Sequence, residues 1–149
     1  MYAVTTTCDK KEVTYLEKRE AQFQEDNLSQ NNVSYLEKII EYCNENNIEL
    51  VLVYIPIYGT AINWTGDIST VHDYYTNLAN ENEVVFFDFT YYKNEFGKDK
   101  YESAKHLNKE GAEDFSELLM EVYKAYHNGE DLSQYFLDTC PYYIKESEN

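Results

Sequence analysis

Two short apolar runs constrain the fold of this chain more than any other feature. The first, from Ile48 to Ile55, is almost entirely aliphatic and is ended by Pro56. The second runs from Val84 to Phe89 and closes on the letters Phe-Phe-Asp-Phe. Runs of this length and composition are typical of strands that are buried on both faces, as parallel sheets require. The sequence therefore predicts a core built on parallel strands.

Three segments with helical periodicity alternate with these runs. The first runs from Asn32, as its N-cap, to Asn47, and the second starts at about Thr70. The third follows Asn108 and extends to about His127. The order helix, strand, helix, strand, helix is that of an open parallel sheet with helices on both faces. We predict an α/β fold with a three-layer, flavodoxin-like open sheet.

The same pattern divides the chain and exposes a shortage of strands. Residues 32–127 form the predicted α/β domain, residues 1–31 an N-terminal extension with a weakly amphipathic helix, and residues 128–149 a tail. Two parallel strands do not make a stable sheet by themselves. Either residues 1–7 and the tail add strands or part of the domain is absent, and we favour an incomplete domain.

The charge balance excludes several classes of partner. The chain has 28 acidic and 12 basic residues, and its formal net charge of -16 disfavours nucleic acid and anionic membrane surfaces.

No run is long enough to span a membrane, and residues 1–10 lack a signal-peptide pattern, so the chain as it stands is expected in the cytoplasm. The three cysteines have no metal-like spacing.

A histidine immediately before the third helix is the main candidate for chemistry. His106 lies two residues before Asn108, which is a good N-cap for the predicted helix. The positive end of a helix dipole disfavours imidazolium, so a neutral ring there can accept a proton near neutral pH. The alternative is a structural or solvated histidine, which is common at a junction between a loop and a helix.

The order of residues around His106 adds a resemblance. After the strand that ends in Phe86-Phe87-Asp88-Phe89, the chain has the motif His-Leu-Asn-x-x-Gly-Ala-x-x-Phe-Ser. This motif resembles the C-terminal block of SGNH (GDSL-type) hydrolases. Within that family it looks most like the DltD-like and alginate-acetylation-like branch of bacterial cell-envelope loci. The resemblance implies that His106 is the catalytic base. It covers about residues 32–126, which correspond to the second half of a catalytic domain.

Two departures from the family pattern bear on activity. The family has an aspartate three residues before the histidine, where this chain has Ser103, and Glu102 is the other candidate to orient the imidazole. The Gly-Asp-Ser-like block that carries the nucleophile is not found in this chain. Loss of the carboxylate in a triad costs orders of magnitude in rate. We therefore expect weak or absent activity from the chain alone.

The resemblance implies a serine esterase or an O-acyltransferase that acts on acylated cell-envelope carbohydrate or a small ester. It implies neither a metal nor an organic cofactor. Relatives usually work outside the cytoplasmic membrane on an N-terminal anchor, so an extracytoplasmic location follows if an upstream anchor is missing. The competing hypothesis is a noncatalytic binding or interaction module that keeps the α/β scaffold. That module would self-associate through an open sheet edge.

Two loops leave the carboxyl ends of the predicted strands, where open α/β sheets bind ligands. The first spans residues 56–66 and contains Tyr58 and Trp64, and the second connects Asp88 to His106 through an irregular, charged segment. Tyr58 and Trp64 are predicted to line one cleft with His106. Asp88 either orients its loop or contributes to a site.

Three further residues complete the set of candidates. Asn108 is predicted to set the loop that carries the histidine. The dipeptide His72-Asp73 has no further histidines or aspartates at metal-binding spacing. Both residues are therefore predicted to be surface positions on the second helix, with Asp73 closing a capping box.

Overall fold

The computed structural model describes residues 30–62 and 68–141. Within these ranges the chain is a mixed α/β protein. The predictions for residues 1–29, for Trp64 and for the tail after residue 141 lie outside the described residues. None of the described helices is both long and apolar enough to cross a membrane.

The predicted alternation of helices and strands is confirmed. Helix α1 (Gln30–Glu45) precedes strand β1 (Val51–Tyr54), and after the short helix α2 (Gly59–Ile62) comes helix α3 (Ile68–Glu81). Strand β2 (Val85–Asp88) follows, and the long helix α4 (Lys109–His127) ends the alternation.

The two earlier helices start before their predicted caps. Asn32 lies inside α1. Thr70, which would be the N-cap of the capping box closed by Asp73, lies inside α3, because α3 already begins at Ile68. Ile68 is fully buried in an apolar cluster, and this packing extends the helix beyond the polar residues that were expected to cap it. The predictions of a cap at Asn32 and of a capping box at Asp73 are therefore wrong.

The strands β1 and β2 pair in parallel, as predicted, with Val51 opposite Val85 and Tyr54 opposite Asp88. The prediction that the first run is buried on both faces is wrong. All four residues of β1 are half-buried, and the flanking Ile48 and Ile55 are 49% and 43% exposed. Among the described residues only β2 pairs with β1, so there are no flanking strands and few side chains to cover the sheet.

A small hairpin replaces part of the irregular connection expected before His106. Strand β3 (Tyr101–Ser103) pairs antiparallel with strand β4 (His106–Leu107), and a 3₁₀ turn over Lys98–Lys100 leads into it. Tyr101 is almost completely buried, with 1% of its surface exposed. An amphipathic segment too short for a periodicity signal thus folds as an ordered hairpin against the start of α4.

The helices α1, α3 and α4 end in the same way, each with one residue in the left-handed region. These residues are Asn47, Glu83 and Gly129, with φ values of 53°, 56° and 70°. In each case the next amide donates to a carbonyl five residues earlier, which is the hydrogen bond of a Schellman motif. The bonds join Ile48 N to Cys43 O, Val84 N to Ala79 O and Glu130 N to Ala125 O, at 2.9, 2.9 and 3.0 Å.

Two apolar clusters flank the parallel strands. One contains Phe87, Phe89, Phe115 and Val122 and packs β2 against α4. The other contains Ile57, Ile62, Ile68 and Val71, and it joins the loop after β1 to α2 and α3. Tyr54, the last residue of β1, packs against the second cluster, and Phe89, directly after β2, belongs to the first.

Candidate functional site

The β3–β4 hairpin holds His106 in contact with Ser103. The Ser103 hydroxyl lies 2.8 Å from Nδ1 of His106, across a two-residue turn. Ser103 stands three residues before His106, at the position where the SGNH pattern has its aspartate. A hydroxyl can donate or accept a hydrogen bond, so it orients the ring without fixing the tautomer as a carboxylate would.

Of the two predicted orienters, Ser103 rather than Glu102 contacts the histidine. The pairing register of the hairpin shifts between Tyr101 and Ser103, so Glu102 is the extra residue at this irregularity, whereas Ser103 lies directly opposite His106. Glu102 is exposed, whereas Ser103 is half-buried. His106 itself is exposed, and its imidazole is therefore accessible from solvent.

Asn108 ties the hairpin to helix α4. Its side-chain oxygen accepts a hydrogen bond from Gly111 N at 2.9 Å, which confirms the predicted N-cap. Its side-chain nitrogen donates to Asp99 O, and its backbone amide donates to Lys100 O at 2.9 Å. Asn108 thus joins the first turn of α4 to the segment that leads into β3.

Gly111 allows this close approach. A Cβ atom built on Gly111 would lie 2.1 Å from Lys100 O and 3.0 Å from the carbonyl carbon of that residue. Lys100 completes the junction through ion pairs with Asp114 at 2.8 Å and Glu110 at 3.5 Å. The hydrogen bond to Asp114 is the main reason why the pKa of the Lys100 amine is raised.

Tyr58, from the loop after β1, lies against the same hairpin. Its backbone amide donates to Ala104 O at 3.0 Å, and its ring meets the ring of Tyr101 edge-on at 5.6 Å. Ala104 belongs to the turn between Ser103 and His106. The structure therefore brings together the first loop and the histidine-bearing hairpin.

Asp88 belongs to a different cluster of polar residues. Its side chain is only 3% exposed, and its Oδ2 lies 2.9 Å from Nδ1 of His72 on α3. Its Oδ1 accepts hydrogen bonds from the amide and the hydroxyl of Thr90, at 2.9 and 2.6 Å. Asp88 thus caps the 3₁₀ turn after β2, the loop-orienting role that the sequence left open, and it also pairs with a histidine.

His72 was missed by sequence reasoning. The prediction that both residues of His72-Asp73 are surface positions is wrong for His72, whose side chain is 29% exposed and bonded to a buried carboxylate. It holds for Asp73, which is exposed. The available signal was the position of Asp88 at the end of a strand, where a buried carboxylate needs a hydrogen-bond donor from a packed helix.

The carboxylate of Asp88 also acts on Tyr54, the tyrosine opposite it in the sheet. Tyr54 pairs with Asp88 in the register of the parallel sheet. Burial raises the pKa of the Tyr54 phenol, and the negative charge of Asp88 and the neighbouring Tyr75 raise it further. Near neutral pH Tyr54 is therefore a protonated phenol at the carboxyl edge of the sheet.

The described residues offer limited metal chemistry. Over residues 30–62 and 68–141, no group of three or more His, Cys, Asp or Glu side chains is arranged to hold a metal ion. Cys140, whose thiol donates to Thr90 O at 3.1 Å, packs against the Ile57 cluster.

The chain belongs to a protein family that is uncharacterised, because the model of that family matches residues 7–126. This range includes the described helices and strands from α1 to most of α4. No curated protein and no solved structure matches the chain.

Proposed function

We propose that this chain is an SGNH-hydrolase-like protein, related to serine esterases and O-acyltransferases that act on acylated carbohydrates, with His106 as its proton-accepting residue. The observation that carries the proposal is the contact between Ser103 Oγ and His106 Nδ1 at 2.8 Å. It puts a polar group on the ring nitrogen that the triad aspartate binds in serine hydrolases. The three-layer sheet of that family is part of the same proposal.

In this mechanism His106 takes the proton of a hydroxyl as that hydroxyl attacks an ester carbonyl. The imidazolium then returns its proton to the leaving oxygen, and the ring next activates water or an acceptor hydroxyl. Ser103 holds the ring but carries no negative charge, so it stabilises the imidazolium less than an aspartate does. The expected rate is therefore low.

The accessibility of the ring also supports the proposal. His106 is exposed at the end of the hairpin, and Tyr58 brings the loop from the carboxyl end of β1 to the adjacent turn. Open α/β sheets bind ligands at this edge. An acylated sugar would reach the imidazole from solvent, with the half-buried ring of Tyr58 near the adjacent turn as aromatic surface.

Hydrolysis of p-nitrophenyl acetate by four variants tests the proposal. His106→Ala should remove the turnover of the wild type, and Ser103→Asp should raise it by about tenfold or more, because it restores a carboxylate on Nδ1. Ser103→Ala should reduce turnover only modestly. His127→Ala is the matched control, because His127 is also an exposed histidine, bonded to Glu49 at the far end of α4.

Each outcome has a definite meaning. Equal losses in the His106 and His127 variants would show nonspecific imidazole catalysis and would contradict the proposal. A complete loss in both Ser103 variants would show that Ser103 is itself the nucleophile. No turnover in either the wild type or Ser103→Asp would also refute a catalytic role.

A second candidate function is a noncatalytic interaction module, favoured by the outer surface of α1. Tyr35, Ile39 and Tyr42 are 65%, 50% and 60% exposed, and they recur at helical spacing. A second copy of the chain would cover this apolar face. Sedimentation over a range of concentrations should then show a dimer that Ile39→Glu dissociates, with no effect of His106→Ala.

A further inference from the structure

We propose that His72 and Asp88 form a second site, which binds a small uncharged molecule through a hydroxyl group and an aromatic or similarly apolar body. The site lies between α3 and the end of β2 and uses neither His106 nor Ser103. It does not depend on the proposed ester chemistry.

The hydrogen bonds of Asp88 determine which nitrogen of His72 carries a proton. A carboxylate only accepts hydrogen bonds, and both oxygens of Asp88 are in use, Oδ1 by two donors of Thr90 and Oδ2 by Nδ1 of His72. Nδ1 therefore carries the proton of the neutral ring. Nε2 keeps its lone pair, and no hydrogen bond to it comes from the part of the chain that the structure describes.

The ring of His72 is also held in one orientation. It stacks on the ring of Tyr91, with the centroids 4.0 Å apart and the planes at 27°. Phe86 lies on another side, at 6.1 Å. Tyr91 is 6% exposed and the side chain of Asp88 is 3% exposed, so the two partners that position the ring are both buried. A positioned acceptor of this kind loses little entropy when a ligand binds.

The cavity beside the pair defines the class of ligand. It has a volume of about 300 Å³, at the lower end for small-molecule sites. Its walls include Thr76, Asn80, Phe86, Tyr91, Phe136 and Leu137. No lysine or arginine lines it, and Asp88 brings a negative charge, so an anion is excluded. The aromatic walls suit an apolar ring, and Nε2 of His72 can accept a hydrogen bond from a hydroxyl group.

The first experiment determines the tautomer of His72 by long-range ¹H–¹⁵N NMR of the full chain. We expect the neutral ring to carry its proton on Nδ1 and to leave Nε2 nonprotonated. His72→Gln assigns the signals, and the exposed His127 serves as the internal comparison. A proton on Nε2 in the neutral ring would overturn the proposal.

The second experiment titrates the wild type with phenol and with anisole, which have similar aromatic bodies but differ in the hydroxyl proton. Phenol should shift the Nε2 resonance of His72 and the amide signals around the cavity. Anisole should bind about tenfold more weakly, the factor that corresponds to one hydrogen bond. Equal effects of the two compounds, or no effect of either, would refute the proposal.

Asp88→Asn gives an independent check on the polarity. The Asn oxygen can still accept from Thr90, while its NH₂ group donates to Nδ1 and moves the ring proton to Nε2. Phenol binding should then fall about tenfold, and the preference for phenol over anisole should disappear. An unchanged preference in a folded variant would contradict the mechanism. If the variant does not fold, the comparison of phenol with anisole on the wild type decides alone.

Discussion

Replacing Gly111 with alanine separates two opposite expectations. Glycine inside a helix costs about 1 kcal/mol relative to alanine, so intrinsic propensity alone predicts that Gly111→Ala stabilises the chain. The structure predicts the reverse, because the new Cβ would lie 2.1 Å from Lys100 O, a distance that real Cβ atoms do not show. The atom it meets is backbone, which cannot rotate away.

The magnitude follows from the contacts that must yield. Relieving the overlap moves the start of α4 away from Lys100 by about 1 Å, and overpacking of this kind costs about 1–3 kcal/mol. The bond from Asn108 N to Lys100 O, now 2.9 Å, is weakened by the same movement, at about 1 kcal/mol. With the propensity gain subtracted, we expect a net destabilisation of about 1–3 kcal/mol.

Urea unfolding, followed by circular dichroism, measures this difference through the midpoint at constant m value. Gly129→Ala is the control, because nothing lies within 4 Å of its Cβ position and its φ of +70° alone sets the cost. That cost is about 1 kcal/mol. A Gly111→Ala variant as stable as the wild type, or more stable, would refute the close approach of α4 to Lys100.

Two further predictions concern backbone strain and pH. Glu83→Gly should raise the free energy of unfolding by about 0.5–1 kcal/mol, because Glu83 has a φ of 56° that glycine adopts without a steric cost. Glu81→Gly, at the last residue of α3, should instead lower it, because glycine is a poorer helix former than glutamate. A loss of stability in Glu83→Gly would contradict the left-handed conformation. The pKa of the Tyr54 phenol is raised in the folded protein. Its contribution to the free energy of unfolding is therefore fully present below pH 10.0, the usual pKa of tyrosine, and is lost as the pH rises towards the pKa in the folded state. Tyr54→Phe should therefore reduce the fall in unfolding free energy above that pH, and an identical slope in the two proteins would exclude this linkage.

The local elements of the fold were predictable where a short-range signal decides them. Asn108 was recognised as an N-cap, and Asn47 and Gly129 stop their helices because both residue types tolerate a positive φ. Glu83 gives no such signal, although it adopts the same conformation. Apolar runs predicted the parallel strands, but burial on both faces depends on neighbouring elements, and Ile48 and Ile55 are exposed.

A candidate site could be predicted from the sequence more readily when its residues lie close together along the chain. Ser103 and His106 are three residues apart, so a contact between them is local, although the sequence left Glu102 open as the alternative. His72 and Asp88 are separated by 16 residues and lie on different elements. Their pairing requires the packing of α3 on β2, which periodicity does not specify. For the same reason Asp88 was predicted near a site without its partner.

Asn108 and Gly111 have a consequence for comparing members of this family. Both residues hold the backbone of α4 against Lys100, so selection for folding alone would preserve them. The side chain of the exposed His106 forms one hydrogen bond within the described part of the chain, with Ser103, and the fold would tolerate its replacement far better. Under the function proposed for His106, a member without that chemistry should keep the asparagine and the glycine while its histidine varies. Substitutions at the position of His106, together with an unchanged asparagine and glycine, would distinguish members that retain only the scaffold from those under catalytic selection.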